Sequence, residues 1–328
     1  MRAIAYTQTG AAADVLKSVD LPTPEPAAGE VRVRLRWSGV NPSDVKSRAG
    51  LRSKVPAFPQ IVPHSDGSGE IDAVGAGVST SRIGERVWVW NGQWQRAHGT
   101  AAQFIVLPAV QAVPLPEGVS GEAGACLGIP ALTALHAVLT GCGVAGQRVL
   151  VAGGAGAVGH YALQFARKLG AAQVVATVSS DAKAELARTA GADQTIDYKR
   201  EDVAVRALAL TGGSGFDRII EVDAAANLAS DLPLLAPGGE VVVYGSGAPE
   251  IALPFFPAIV KNATLRCFIV YNLAKADRER AIATLTALLA RGELQHNVAE
   301  RLPLADCARA HQLVESGKVI GNVVLRID

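Results

Sequence analysis

Val31, Val33 and Leu35 alternate with Arg32, Arg34 and Arg36, the two-residue period of a strand with one buried face. Asn41-Pro42, Pro56, Pro59, Pro63, Gly67, Gly69, Gly75 and Gly77 punctuate the next forty residues, and Arg86-Val87-Trp88-Val89-Trp90 reads as another strand. Punctuation this dense predicts short strands and loops, a β-rich and partly antiparallel region over residues 1–121. From residue 122 the pattern changes. Short apolar runs at Val149–Val151, Val174–Ala176, Ile219–Ile220 and Glu240–Val243 alternate with helix-like stretches near 158–169, 181–190, 200–210 and 226–236. Strands alternating with helices predict βαβ units around a parallel sheet. Leu265–Val270 offers a sixth strand. Beyond 271 the chain predicts helices near 275–291 and 305–316 and a last strand over Asn322–Ile327.

The strongest motif lies between the first of those apolar runs and the helix after it. Gly153, Gly156 and Gly159 stand three apart in Gly153-Gly154-Ala155-Gly156-Ala157-Val158-Gly159. On the adjoining helix Val158, Ala162, Phe165, Ala166 and Leu169 share a face. Glycines at a strand-to-helix turn let the backbone fold sharply and approach a pyrophosphate, which meets N–H groups at the helix start. Folds of this kind that prefer NAD end the second strand in a carboxylate that binds the ribose 2′-hydroxyl. Here the strand ends in Ser179-Ser180-Asp181-Ala182-Lys183. Hydroxyls with a cation one helical turn away suit a 2′-phosphate, so the expected cofactor is NADPH. Ser180 and Asp181 are also ordinary helix caps.

Length and charge narrow the reading further. A chain of 328 residues suits two domains better than one core. The formal net charge is +1 with no long basic run, which disfavours nucleic acid as the main partner. No stretch is apolar enough to predict a membrane span, and the start, MRAIAYTQTG, lacks a basic-then-apolar signal pattern. Cys126, Cys142, Cys267 and Cys307 are widely spaced and form no CxxC pair, which reads as free thiols in a reducing cytoplasm.

Further segments carry a family resemblance: Gly39-Val40-Asn41-Pro42-Ser43-Asp44, Gly128-Ile129-Pro130-Ala131-Leu132-Thr133-Ala134, Gly170-Ala171 after the glycine loop, Gly191-Ala192-Asp193, Pro237-Gly238-Gly239, Ala308-Arg309-Ala310-His311 and Gly321-Asn322-Val323-Val324-Leu325. In this order they span nearly the whole chain, which resembles the medium-chain dehydrogenases/reductases, and among them the zinc-independent quinone oxidoreductase (zeta-crystallin-like) branch. The resemblance implies an α/β protein: a GroES-like β-rich catalytic domain from 1–121 and 271–328, and a Rossmann domain with a doubly wound parallel sheet over 122–270. It implies NADPH contacts position by position. The glycine loop, Gly153 with Ala155, Gly156, Ala157, Val158 and Gly159, would meet the pyrophosphate. Ser179, Ser180, Lys183 and Tyr198 would surround the adenosine phosphate. Asn227 with Val243, Tyr244, Gly245 and Ser246 would follow the cofactor edge, and Cys267, Phe268, Ile269 and Asn322 complete the set. Asn41 and Thr133 would line the cleft for hydride transfer. Close relatives often carry Tyr where this chain has Lys46, which alters the expected substrate pocket. A homodimer or a tetramer of dimers is implied as well; the apolar run Ile251–Phe256 beside Leu265–Val270 would extend a sheet across a two-fold axis.

Zinc-dependent relatives use Cys, His and Cys as catalytic ligands. The corresponding positions here are Asn41, Ser65 and Ile129, with His64 and Cys126 one and three residues out of register and no four-cysteine lobe. Zinc needs several N or S donors converging, so no metal is expected. Reduction of a quinone or a conjugated enone or enal fits this better than alcohol oxidation, because the incoming negative charge delocalises and a few hydrogen-bond donors stabilise it. Asn41, Lys46 and Thr133 are the candidate donors. Two alternatives stand beside this reading. An enoyl-thioester reductase usually places a Tyr acid after this Asn-Pro-Ser-Asp, and Val45–Lys54 contains none. A crystallin-like protein would bind NADPH without catalysis.

Overall fold

The computed structural model describes residues 1–328 and divides them into two compact units, Met1–Ile129 with Thr286–Asp328, and Pro130–Leu285. The expected boundaries at 121/122 and 270/271 therefore shift. The short helix Gly121–Gly124 packs on the strands Glu30–Val40 and Asp66–Val74, which holds residues 122–129 to the first unit. The second boundary falls inside a continuous helix, Lys275–Ala290.

The first unit is built on Glu30–Val40, where Val31, Val33 and Leu35 are buried and Arg34 and Arg36 exposed, as the alternation requires. The sheet runs in the order Val298–Pro303, Asn322–Arg326, Glu30–Val40, Asp66–Val74, Arg86–Val89, Ala112–Pro114, with Phe104–Pro108 also paired to Glu30–Val40. All its ladders are antiparallel except Val298–Pro303 with Asn322–Arg326. One core lies among Val31, Val33, Leu35, Val87, Val89 and Ile105. A second joins Ile4, Tyr6, Val40, Val62 and Leu325 to Cys307 and Ala310 of the helix Cys307–Glu315.

The second unit is a six-stranded parallel sheet ordered Gln194–Asp197, Gln173–Val178, Arg148–Val151, Phe216–Glu221, Leu235–Val243, Thr264–Cys267. From Arg148–Val151 the chain winds outward to one edge, then returns to Phe216–Glu221 and winds to the other. This reversal creates a switch point beyond the carboxyl ends of the two central strands, where open α/β sheets bind ligands.

Several details differ from the sequence expectation. Gln194–Asp197, Val298–Pro303 and the N-terminal pair Arg2–Ala5 with Lys17–Asp20 are strands too short or too polar to show a clear period. The helix predicted near 226–236 occupies Ala224–Asp231; Pro233 sits in a 3-10 turn, and the next strand starts at Leu235. The sixth strand ends at Cys267, and Phe255–Lys261 is a helix in which the apolar run Ile251–Phe256 terminates. The helix Ala157–Lys168 is buried from Gly159 through Ala166 rather than along one face, because the helix Leu132–Leu139 also packs against it.

Candidate active site

The glycine loop leaves Arg148–Val151 at the switch point. Gly153 has φ +66°, a left-handed conformation that costs glycine nothing. Its amide donates to Thr177 Oγ1 at 3.0 Å and the Gly154 amide to the Thr177 carbonyl at 3.1 Å, which ties the loop to the neighbouring strand. A Cβ at Gly159 would collide with the Gly153 carbonyl oxygen, so this glycine sets how closely the helix follows the turn. Ala157–Lys168 then begins at the N-cap Gly156 with no side-chain cap. Four amides at a helix start lack intrahelical partners. Here no side chain takes them up, and the dipole favours an anion in the same place. Ala155 is buried in the turn, and Ala157 and Val158 open the helix.

At the end of the second strand Ser180 caps Asp181–Thr189, its Oγ accepting from Lys183 N at 3.4 Å. Lys183 Nζ donates to Ser179 Oγ at 3.0 Å, so the hydroxyl and the cation expected to meet a phosphate are already together. Tyr198 lies just past the next strand and is half exposed, its amide bonded to the Val178 carbonyl at 3.1 Å. Arg200, which sequence reasoning did not single out, pairs with Asp181 at 2.8 Å and also lies 3.5 Å from Asp197, with Asp181 and Arg200 both exposed. Only the chain reversal at Lys199 shows that residue 200 faces residue 181.

Beyond the strand Phe216–Glu221, Glu221 Oε1 accepts from the Asp223 amide and from Asn227 Nδ2 at 2.9 Å. Burial, then the nearby Glu221 charge, pushes the Asp231 carboxyl up to about 8. Burial and the same charge raise the Tyr244 hydroxyl strongly. A Cβ at Gly245 would meet the Val222 carbonyl, and Gly247 N donates to Asp223 Oδ1 at 2.7 Å, so residues 243–247 lie along 221–224. Val243 is buried, and Ser246 Oγ turns back to the Ala248 carbonyl at 2.7 Å. Asn227, expected at the cofactor edge, thus has its amide engaged by a carboxylate that sequence reasoning overlooked; an acid closing an apolar strand was the available signal.

Thr133 is buried on Leu132–Leu139, whose C-terminal carbonyls are capped by Arg218. Arg218 donates to the carbonyls of Ala137, Val138 and Thr140 at 3.0–3.1 Å and to Glu240 at 2.8 Å, with a 2% exposed side chain. On the same unit His136 stacks edge-on against Phe268, ring centroids 4.6 Å apart. Cys267 and Ile269 beside it are exposed.

Asn41 and Lys46 belong to the first unit. Asn41 is the N-cap of Pro42–Arg48 in a capping box: its side chain meets the Asp44 amide, and Asp44 Oδ2 accepts from Asn41 N at 2.8 Å. Its Nδ2 also donates to Asp66 Oδ2 at 2.9 Å. Both acids are buried. Burial pushes the Asp44 carboxyl up to about 7 and, with the Asp44 charge second, raises Asp66 far above the ordinary carboxylate range. Lys46 is half-buried on the last turn of that helix. Asn322 stands apart from these residues, buried in the last strand, its amide groups on the Asn297 carbonyl at 2.9 and 3.0 Å.

The positions that hold catalytic zinc in zinc-dependent relatives do not fit the ion. Asn41 is spent on capping, Ser65 Oγ accepts from Gln93 N at 3.4 Å, and Ile129 offers no donor. The Cys126 thiol is buried against the Glu122 carbonyl at 3.4 Å and pushed up by burial. No helix is long and apolar enough to cross a membrane.

Two family models match the chain: an alcohol dehydrogenase GroES-like domain over residues 27–117 and a zinc-binding dehydrogenase domain over 157–287. A quinone oxidoreductase from Rattus norvegicus is 31% identical over 99% of this chain and 97% of its own length. A 2-haloacrylate reductase from a Burkholderia species is 31% identical over 99% of this chain and 98% of its own. A mycobacterial protein whose structure was solved in complex with NADPH has a TM-score of 0.88 at 32% identity, covering 99% of this chain and all of the other.

Proposed function

The chain belongs to the quinone oxidoreductase family of the medium-chain dehydrogenases/reductases, and from that premise we propose that it reduces quinones or conjugated enones and enals with NADPH and without a catalytic metal. The observation that carries this reading is the strand-end cluster: Lys183 on Ser179, with Asp181 drawn to Arg200, one strand away from an uncapped helix start. The glycine loop takes a pyrophosphate, and the serine–lysine pair takes a 2′-phosphate that a free carboxylate would repel.

NADPH, when bound, supplies a hydride. The residues of this chain bind and orient it: Gly153–Gly159 at the pyrophosphate, Ser179, Ser180, Lys183 and Tyr198 at the adenosine phosphate, and Val243–Ser246 with Asn227 along its edge. Cys267–Ile269, Thr133 and Asn41 attend the reacting end, with Asn41, Thr133 and Lys46 as hydrogen-bond donors to an acceptor oxygen. Such donors suffice where the arriving charge delocalises over a quinone or an enone, and they replace the Lewis acid that an alkoxide would need. The 2-haloacrylate reductase among the relatives supports conjugated C=C bonds as a substrate class.

The test follows NADPH consumption by the purified protein against quinones, enones, enals, 2-haloacrylates and enoyl thioesters. Turnover with quinones or enones supports the proposal. Exclusive turnover of enoyl thioesters transfers the protein to that class. Tight NADPH binding without turnover of any acceptor leaves a non-catalytic, crystallin-like role.

A further inference from the structure

The first unit holds a buried group of side chains that this chemistry does not use. His64 Nε2 lies 2.9 Å from His311 Nε2 and 3.9 Å from Cys307 Sγ, and the three donor atoms fall within 4.8 Å of one another. His64 and Cys307 have no measurable exposure, and neither does His311. His64 comes from the segment before Asp66–Val74, the other two from the helix Cys307–Glu315. His64 adopts φ +78°, in the left-handed region that non-glycine residues rarely enter. The amide of Thr100 donates to its carbonyl at 3.0 Å.

The proton positions are set by the partners. The Asp66 carbonyl can only accept, so Thr100 Oγ1 donates to it at 2.5 Å. Thr100 must then accept from Ser38 Oγ at 2.8 Å, and Ser38, its own proton spent, must accept from His64 Nδ1 at 2.8 Å. His64 is thereby fixed as the Nδ1–H tautomer, its Nε2 lone pair turned toward His311 and Cys307. An imidazole whose far N–H is held by an oxygen is the arrangement that orients metal-bound histidines. His311 Nε2 therefore carries the proton of its ring and donates it to the His64 Nε2 lone pair at 2.9 Å, while His311 Nδ1 is buried with no partner.

We propose that His64, Cys307 and His311 form a binding site for a soft monovalent cation of the Cu(I) class. Two imidazoles and a thiolate match the ligand preference of that class. Cu(I) accepts three ligands, whereas structural Zn(II) sites are four-coordinate, and no fourth donor joins this group. Charge points the same way. Cu(I) with one thiolate is neutral, while Zn(II) with the same ligands would leave a net positive charge in the buried core. On binding, the Cys307 thiol loses its proton to solvent as the metal–sulfur bond forms, and the His311 proton passes from Nε2 to Nδ1. The ion clamps the helix Cys307–Glu315 to the segment at His64.

The test uses a Cys142→Ser/Cys267→Ser protein, which lacks the two exposed thiols. It is refolded with Cu(I) buffered by a chromogenic chelator, so that burial of the site does not limit access. The expected result is one Cu(I) per chain, falling to none when Cys307→Val is added. X-ray absorption at the copper edge, recorded on the unaltered protein as well, should report one sulfur and two nitrogen neighbours, a readout that does not depend on Cys307→Val folding. No copper uptake overturns the proposal. So does unchanged stoichiometry in Cys307→Val, or a shell of different composition.

Discussion

Replacing Lys183 by Ala should weaken NADPH about tenfold and leave NADH nearly unchanged. Lys183 Nζ is already seated on Ser179 Oγ, 3.0 Å away, so little side-chain entropy is spent when a phosphate arrives. Two unit charges about 4 Å apart interact by roughly 1 kcal/mol in water and roughly 4 kcal/mol at the effective dielectric of a protein surface. Lys183 is half-buried, which places it between these limits, and salt pulls it toward the lower. A charge-assisted hydrogen bond is worth about 1.5–3 kcal/mol, and about 1.4 kcal/mol is tenfold in affinity. The dissociation constants of both cofactors are measured by cofactor fluorescence at two salt concentrations. The NADPH penalty should shrink as salt rises, and Lys183→Arg should recover most of it. If Lys183→Ala weakens both cofactors equally, the lysine supports the helix Asp181–Thr189 and the phosphate assignment is wrong. If the unaltered protein prefers NADH, Asp181 binds a ribose hydroxyl, and its pairing with Arg200 does not neutralise it.

Arg218→Met should destabilise the protein by about 1–3 kcal/mol, because it removes a buried donor from the Ala137 and Val138 carbonyls and leaves Glu240 with Arg266 alone; denaturant titration measures it, and no measurable loss would show that the cap is dispensable. Quinone turnover should survive exhaustive chelation of divalent metals, whereas activity that disappears on chelation and returns with zinc contradicts the ligand-position argument. Light scattering should give a dimer or a tetramer, since Leu253, Phe255, Phe256, Ile259 and Val260 are exposed beside the edge strand Thr264–Cys267; a monomer at micromolar concentration removes that expectation. Asp44 should make stability depend on pH in the direction opposite to a salt-bridged acid. Its folded value is raised to about 7, so its contribution is fully present below the unfolded value of 3.8 and is lost as pH rises through 7. Acidification across that window should therefore stabilise the unaltered protein relative to Asp44→Asn, and a constant difference would mean that Asp44 does not titrate there.

The second unit was legible in the sequence because parallel strands covered by helices must be continuously apolar. Val149–Val151, Val174–Ala176 and Ile219–Ile220 announce themselves in this way. The glycine loop was legible for a related reason, since each glycine answers a local steric demand at Gly153 or Gly159. Strands such as Gln194–Asp197 were not, because four residues ending in an acid carry no period. Site residues divide along the same line. Ser179 and Lys183 are four positions apart and meet within one turn. Arg218 at Thr140 and His64 at His311 are pairings across long sequence separations, and only the fold brings them together.

Asn41 shows what replaces a metal ligand at such a position. Its side chain is held from two directions, by the capping box with Asp44 and by Asp66 Oδ2. Asp66 Oδ2 accepts from the Asn41 side chain at 2.9 Å, and burial, then the Asp44 charge, raises its carboxyl far above the ordinary range. An amide fixed in this way cannot swing to follow an acceptor. In the proposed reaction it would stabilise an oxygen at one place without reorganising, which is how a preorganised donor contributes to a transition state. Its influence on the proposed reaction should fall on which acceptors are reduced, according to where their oxygen lies relative to the carbon that takes the hydride.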